Sequence, residues 1–245
     1  HRVIDIKEES NGTLSYVTHG DANDEGTNEL FSIIPLEIRG NFESFKQINS
    51  LVIPGSEKIR LIDATAGSGV HTIKNINLGK NGLFQEIKCN VSGITIVNPT
   101  FNTNGTTTNV GVLTGTVNGE ITIEKCGVYF DNATLKKIEG NYNVGGLIGE
   151  VKGEARITSC YANVSVEGNE SVGGLIGTTS SDSIVTNCYS SGTITGPKKT
   201  GGLVGYANGT IINHCFSTAD VTGKEQTGGF LGAVKIDYNS TWNKL

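Results

Sequence analysis

The phrase VGGLIG, residues 144–149, is the first place where residue types and spacing suggest chemistry. Paired glycines ahead of a helix let a backbone approach a phosphate, which the helix N-terminus then binds through its N–H groups. That fingerprint needs one copy, set between a strand and a helix. Here the phrase recurs as VGGLIG at 172, TGGLVG at 200 and TGGFLG at 227, with a weaker VGVLTG at 110. No helical periodicity follows any copy, so these glycines do not read as a phosphate cradle. The second reactive set is five cysteines, Cys89, Cys126, Cys160, Cys188 and Cys215. None forms a CxxC pair, so neither a zinc nor a redox site is indicated, and the odd number leaves one thiol outside any intrachain disulfide. His19, His71 and His214 lack catalytic company, and His214 is expected to point outward from a strand beside Cys215.

The elements that position these residues follow from the repeat itself. The four good copies are spaced 28, 28 and 27 residues apart, and each of the first three leads into a second phrase: ITSCYANVSVEG, VTNCYSSGTITG and INHCFSTADVTG. Leu147, Leu175, Leu203 and Phe230 align, as do Ile157, Val185 and Ile212, the cysteines 160, 188 and 215, and the aromatic residues Tyr161, Tyr189 and Phe216. The runs are short, rich in Ile, Val and Thr, and separated by Gly, Asn or Ser, which predicts strands. A unit of this length cannot bury its own apolar face and must stack on its neighbours. The expected fold is all-β: a right-handed parallel β-helix of about 28-residue coils, spaced by the ordinary strand separation of about 4.8 Å. Stacking puts like residues in columns, with the glycines at corners that need positive φ or close approach. The aligned cysteines then lie within disulfide range, but in-register side chains lack the twist of an S–S bond, which favours a buried thiol column.

At these residues the chain resembles the GLUG repeat family, named for its Gly-Leu-apolar-Gly core. The likeness spans about residues 43–245, is strong from 110 onward, and includes a lead-in coil, GVHTIKNINLGKNGLFQEI, at 69–87. It implies a β-helix of secreted and surface-anchored bacterial proteins, adhesins among them, in which the repeat carries no catalytic residues.

The first forty residues need a separate account. They form two alternating runs around Asn11-Gly12, a hairpin signal, followed by a polar loop. The string HRVIDI…NGTLSYVTHGDAN, with IIPLEIRGNF after it, resembles type I signal peptidases of the archaeal and endoplasmic-reticulum-like branch. A serine nucleophile needs a base to take its proton, and a carboxylate can orient that base. The resemblance makes His1 the base and Asp21 a carboxylate of the site. The family's serine lies upstream of this segment, and a further acidic position is filled here by Gly26, after Asp24 and Glu25. The resemblance also implies a parent anchored in a membrane by an upstream helix, with secretory preproteins as substrates. The hairpin is then a remnant of a signal-peptidase catalytic domain, and the expected organisation is a partial peptidase-like segment at 1–42, lead-in coils at 43–109 and GLUG repeats at 110–245.

Composition narrows the remaining functions. The 245 residues include 34 glycines and no methionine, so the sequence is expected to be a piece of a longer protein. Its net charge of −5 is thinly spread and no basic stripe is interleaved with aromatics, which argues against nucleic acid. No cofactor or metal is implied by any motif. Three readings stand: an extracellular β-helix on a membrane-anchored peptidase, displaying a surface for a protein or glycan ligand; a purely non-enzymatic bacterial adhesin; and a polysaccharide-active β-helix enzyme. The last needs acidic and basic groups gathered in a groove, whereas the repeats offer scattered Glu150, Asp182, Lys198 and Lys199. The closing phrase TGGFLGAVKIDYNSTWNKL opens a coil without reaching a cysteine, and an uncapped end is expected to promote self-association.

Overall fold

Strands of two to five residues cannot bury an apolar face alone, and here each pairs with the equivalent strand one turn of the chain before it, after it or both. The computed structural model describes residues 2–8, 14–19, 71–74, 77–78, 80–101, 105–131, 137–180 and 182–236. Every regular element among the described residues is a strand. One coil runs through Tyr142–Gly145, Ile148–Lys152, Arg156–Thr158, Tyr161–Asn163 and Ser165–Glu167. The next runs through Glu170–Gly173, Ile176–Thr179, Ile184–Thr186, Tyr189–Ser191 and Thr193–Thr195, and a third through Lys198–Gly201, Val204–Asn208, Ile211–Asn213, Phe216–Ser217 and Asp220–Thr222. Pairing is parallel and in register: Ile148 with Ile176 and then Val204, Ile157 with Val185 and then Ile212, Val166 with Ile194 and then Val221. The result is a parallel β-solenoid of about five coils, each of about 28 residues.

Its interior is a set of apolar columns. Leu83, Leu113, Leu147, Leu175 and Leu203 are buried in one column, with Phe230 half-buried at its end. Inter-coil hydrogen bonds hold this column, Leu147 N–H to Leu175 O at 3.0 Å and Leu175 N–H to Leu203 O at 2.9 Å. Each fully buried Leu or Ile contributes about 1.5–3 kcal/mol of hydrophobic stabilisation, so the stacked interior is the main source of order.

The repeated glycines serve close approach rather than positive φ. None of the glycines in VGGLIG at 144 or 172 has positive φ. A Cβ on Gly146 would lie 2.9 Å from the Ala162 Cβ and nearer still to the carbonyl of Gly174 in the next coil. Left-handed backbone falls instead on two columns of other residues. One runs through Asn109, Asn143, Ser171, Lys199 and Gln226; the other, just before the cysteines, runs through Lys125, Ser159, Asn187 and His214. His214 therefore sits at a bend with φ 52°, exposed, and not in a strand as its sequence context suggests.

The weak copy at 110 is a true member of the stack, since Val110 bridges Val144. Its coil is longer because seven residues separate Tyr129 from Lys137, where later coils have only Val164 or Gly192 between equivalent strand ends. The lead-in coils are described from His71 onward, with His71–Lys74 paired to Ile94–Val97. Far upstream, Arg2–Glu8 and Leu14–His19 form the expected antiparallel hairpin, Arg2 opposite His19 and Glu8 opposite Leu14. Its turn at Asn11-Gly12, and residues 20–70, lie outside the described residues.

Candidate functional site

Strand alternation decides what each coil shows to solvent. Cys160 and Cys188 point inward, so the residue after each points out, and Tyr161, Tyr189 and Phe216 stack on the outer face of one sheet. Ring centroids are 5.3 Å apart from Tyr161 to Tyr189 and 5.2 Å from Tyr189 to Phe216, with planes within 9° and 5° of parallel. Rings in flat contact approach to about 3.5–4.0 Å, so these are offset like shingles and each leaves part of one face open. The direction of the lean is fixed by Gly127, paired with Tyr161 in the preceding coil. The Tyr161 ring occupies the space a side chain there would need, with Cδ1 2.6 Å from the position of a Cβ and the ring edge nearer still. The Tyr161 hydroxyl reaches the Thr95 hydroxyl one coil further, at 3.5 Å. Tyr189 is 36% exposed, and Phe216, on the edge strand of this sheet among the described residues, is 55% exposed.

The flanks of this column are polar and uncharged through two coils. Ser159 and Asn187 lie on one side, Asn163 and Ser191 on the other, with Ser165 and Thr193 beyond. Charge enters at the ends, with Lys125 and Glu124 paired at 3.1 Å and Lys137 held by Glu139 and Glu167 in one direction, and Asp220 in the other. Burial against its neighbours, with a smaller effect of Tyr161, holds the Tyr189 phenol above its usual pKa.

Behind the aromatic column runs the thiol column. Cys126, Cys160 and Cys188 are buried and Cys215 half-buried; Cys126 joins the column, while Cys89 lies outside it because Ile94 occupies the equivalent place. Each thiol donates to the carbonyl two residues earlier, at 3.3 Å for Cys126 and Cys160, 3.1 Å for Cys188 and 3.2 Å for Cys215. The sulfurs of Cys188 and Cys215 also accept the N–H of Cys160 and Cys188, both at 3.4 Å. Burial pushes the Cys160 thiol well above the usual range. These are packing groups with satisfied hydrogen bonds.

The scattered charges pair locally. Glu170 takes Lys199 at 2.7 Å and Lys198 at 3.3 Å, and Lys199 also sits 4.8 Å above the Tyr206 ring. Glu150 accepts from Asn109 at 2.7 Å and meets Lys152 at 3.2 Å. Asp182 is exposed in a turn with φ 65°. Among the described residues no three His, Cys, Asp or Glu side chains are grouped as metal ligands. His1 and Asp21 lie outside the described residues. The aromatic column could be found in the sequence, because an inward cysteine forces the next residue outward; the lean over Gly127 could not, since it needs the register between coils.

Residues 140–167, 168–195 and 198–222 each match the family model of the GLUG motif. No curated protein and no solved structure matches the chain. The GLUG repeats are thus the three regular coils of the solenoid.

Proposed function

We propose that the solenoid is a non-enzymatic display module on the extracellular face of a cell, a right-handed rod that presents its outer columns to a surface ligand. The observation that carries this reading is the aromatic column Tyr161, Tyr189 and Phe216, which lies outside the hydrophobic core yet is assembled across three coils. Large apolar groups held together at a surface mark interaction sites more often than chance exposure. Adhesion suits this geometry, because a rigid rod holds its face at a distance from whatever anchors it. Antibodies against residues 140–222, applied to cells that produce the protein, test the placement. Labelling of intact cells is the expected result, and labelling only after permeabilisation would overturn it.

A second reading concerns the parent protein, a membrane-anchored signal peptidase with this solenoid as its extension. It is favoured by the hairpin, whose Arg2–His19 pairing stands immediately beside His1 and two residues from Asp21 in the chain. In that reading His1 is the base and Asp21 its carboxylate partner, acting on secretory preproteins with a serine supplied from upstream. Preprotein cleavage by the complete parent, abolished by His1→Ala and untouched by Phe216→Ala, is expected. Equal cleavage by the His1→Ala parent, or none by the unaltered parent, excludes it.

A further inference from the structure

We infer that the shingled column Tyr161–Tyr189–Phe216 is a binding track for a neutral, extended polysaccharide running along the solenoid axis. The inference rests on the display reading and names the ligand class of that same surface.

Three observations fit this occupant. Offset stacking leaves an open strip of each ring face, repeated every coil at 5.3 and 5.2 Å. The C–H face of a pyranose packs against such strips, and an extended β-linked glycan advances by a closely similar distance per sugar. Next, the columns bordering the rings supply what sugar hydroxyls need, which is donors and acceptors without charge. Asn187 and Asn163 carry exposed amides, and Ser159 and Thr193 exposed hydroxyls. An acidic glycan finds no unpaired cation beside the rings: Lys125 and Lys137 in the preceding coil are paired with Glu124 and with Glu139 and Glu167, and Lys198 and Lys199 belong to another sheet and are held by Glu170. The neutral flanks complement a neutral chain. Finally, the track is built in advance. Gly127 leaves room for the Tyr161 ring, and Tyr161 and Phe216 fix the Tyr189 ring from either side, so ligand binding orders little that is not already ordered.

Affinity electrophoresis of the full chain tests this, in gels containing β-glucan, xyloglucan or galactomannan and in parallel gels containing polygalacturonate or alginate. Retardation by at least one neutral polymer and by neither acidic one is expected. Tyr189→Ala should weaken that retardation about tenfold, in the range of one lost aromatic contact. Asn163→Arg, at an exposed position outside the core, should obstruct the track to a similar degree and stands in if Tyr189→Ala fails to fold by circular dichroism. Tyr206→Ala, on a different sheet, should leave binding unchanged. Shortening of the retained polymer would point to an enzyme and overturn the assignment. So would retardation by acidic polymers alone, retardation indifferent to both track variants, or no retardation in any gel. Concentration-dependent dimerisation abolished by Asn163→Arg would assign the column to a second copy of the chain instead. Because these are tests with purified protein, their failure leaves the surface labelling of intact cells as a separate result.

Discussion

Alanine at Gly174 and alanine at Gly229 should have opposite consequences, although both are the second glycine of the same repeated phrase. Neither residue has positive φ, so alanine is conformationally allowed at both. On backbone entropy alone each substitution would stabilise by about 0.4–1 kcal/mol. At Gly174 the added Cβ would stand 2.9 Å from the Ser190 Cβ and nearer still to the Gly202 carbonyl oxygen. That oxygen belongs to the backbone of the next coil, so relief requires the coils to part. Parting them strains the bonds that cross there, Gly174 N–H to Gly202 O at 3.0 Å and Leu175 N–H to Leu203 O at 2.9 Å. Overpacking of about 1–3 kcal/mol and the weakening of two hydrogen bonds at about 1 kcal/mol each give a net loss of about 3 kcal/mol. For a domain of this size that is a fall of about 6–12 °C in melting temperature. At Gly229 an added Cβ meets nothing within 4 Å, because the column ends there among the described residues. The expected change is within about 0.5 kcal/mol of zero or slightly favourable. Thermal melts of both variants by far-ultraviolet circular dichroism decide the matter. Equal losses at the two sites, or no loss at Gly174, would refute the view that these glycines serve coil-to-coil approach.

Asn187→Val should cost about 1–2 kcal/mol, because a β-branched residue is forced into the left-handed region at φ 53°, whereas Asn187→Gly should be near neutral; urea denaturation separates them. Brief treatment with iodoacetamide should modify the half-buried Cys89 first, leaving the buried Cys126, Cys160 and Cys188 untouched until denaturant is added, as peptide mapping would show. The raised Cys160 pKa makes the unfolded chain release its proton first, so stability is complete below the ordinary thiol pKa and should decline above about pH 8.5, less so in Cys160→Ala. Glu170 titrates the other way. Hydrogen bonds from Lys199 and then Lys198 lower its pKa, so its contribution is present above about pH 4.3 and lost as pH falls through the folded value. Glu170→Gln should flatten the acid limb of a stability–pH profile.

The solenoid could be read from sequence wherever the repeat length stayed constant. Two successive spacings of 28 place Leu147, Leu175 and Leu203 in one column without any structure, and all three are buried. The same argument weakens at VGVLTG, since the additional residues between Tyr129 and Lys137 hide the true register of Cys126 with Cys160. Cys89 and Cys126 cannot be told apart by counting, yet only Cys126 stacks. Left-handed corners are hidden for another reason. Serine, lysine and histidine occupy the same φ as asparagine at 159, 125, 214 and 187, and the N–H groups of Lys125, Ser159 and Asn187 each bond to the following coil, holding the bend regardless of local preference. The inward turn of each cysteine, and hence the outward turn of each aromatic residue, follows from alternation alone. What alternation could not supply was the tilt of the rings, which depends on the empty place at Gly127.

An in-register stack also limits the kind of chemistry its outer surface can carry. Whatever one repeat places on a column, the next repeat places again one strand spacing away. Acid, base and nucleophile must differ from one another and converge on one point, whereas a column offers similar groups spread along a line. The described charges obey that geometry, pairing within a coil as Glu150 with Lys152 or between adjacent coils as Glu167 with Lys137, and gathering nowhere into a reactive cluster. A line of similar groups matches a ligand that is itself periodic. Each coil then adds one aromatic strip to the same track, and contacts made by successive coils to one polymer reinforce one another through effective concentration. On the proposed reading, the number of coils bearing an aromatic residue after the cysteine, more than the identity of any single ring, sets the strength of binding. Gly127, which opens the track by having no ring of its own, marks where the track stops.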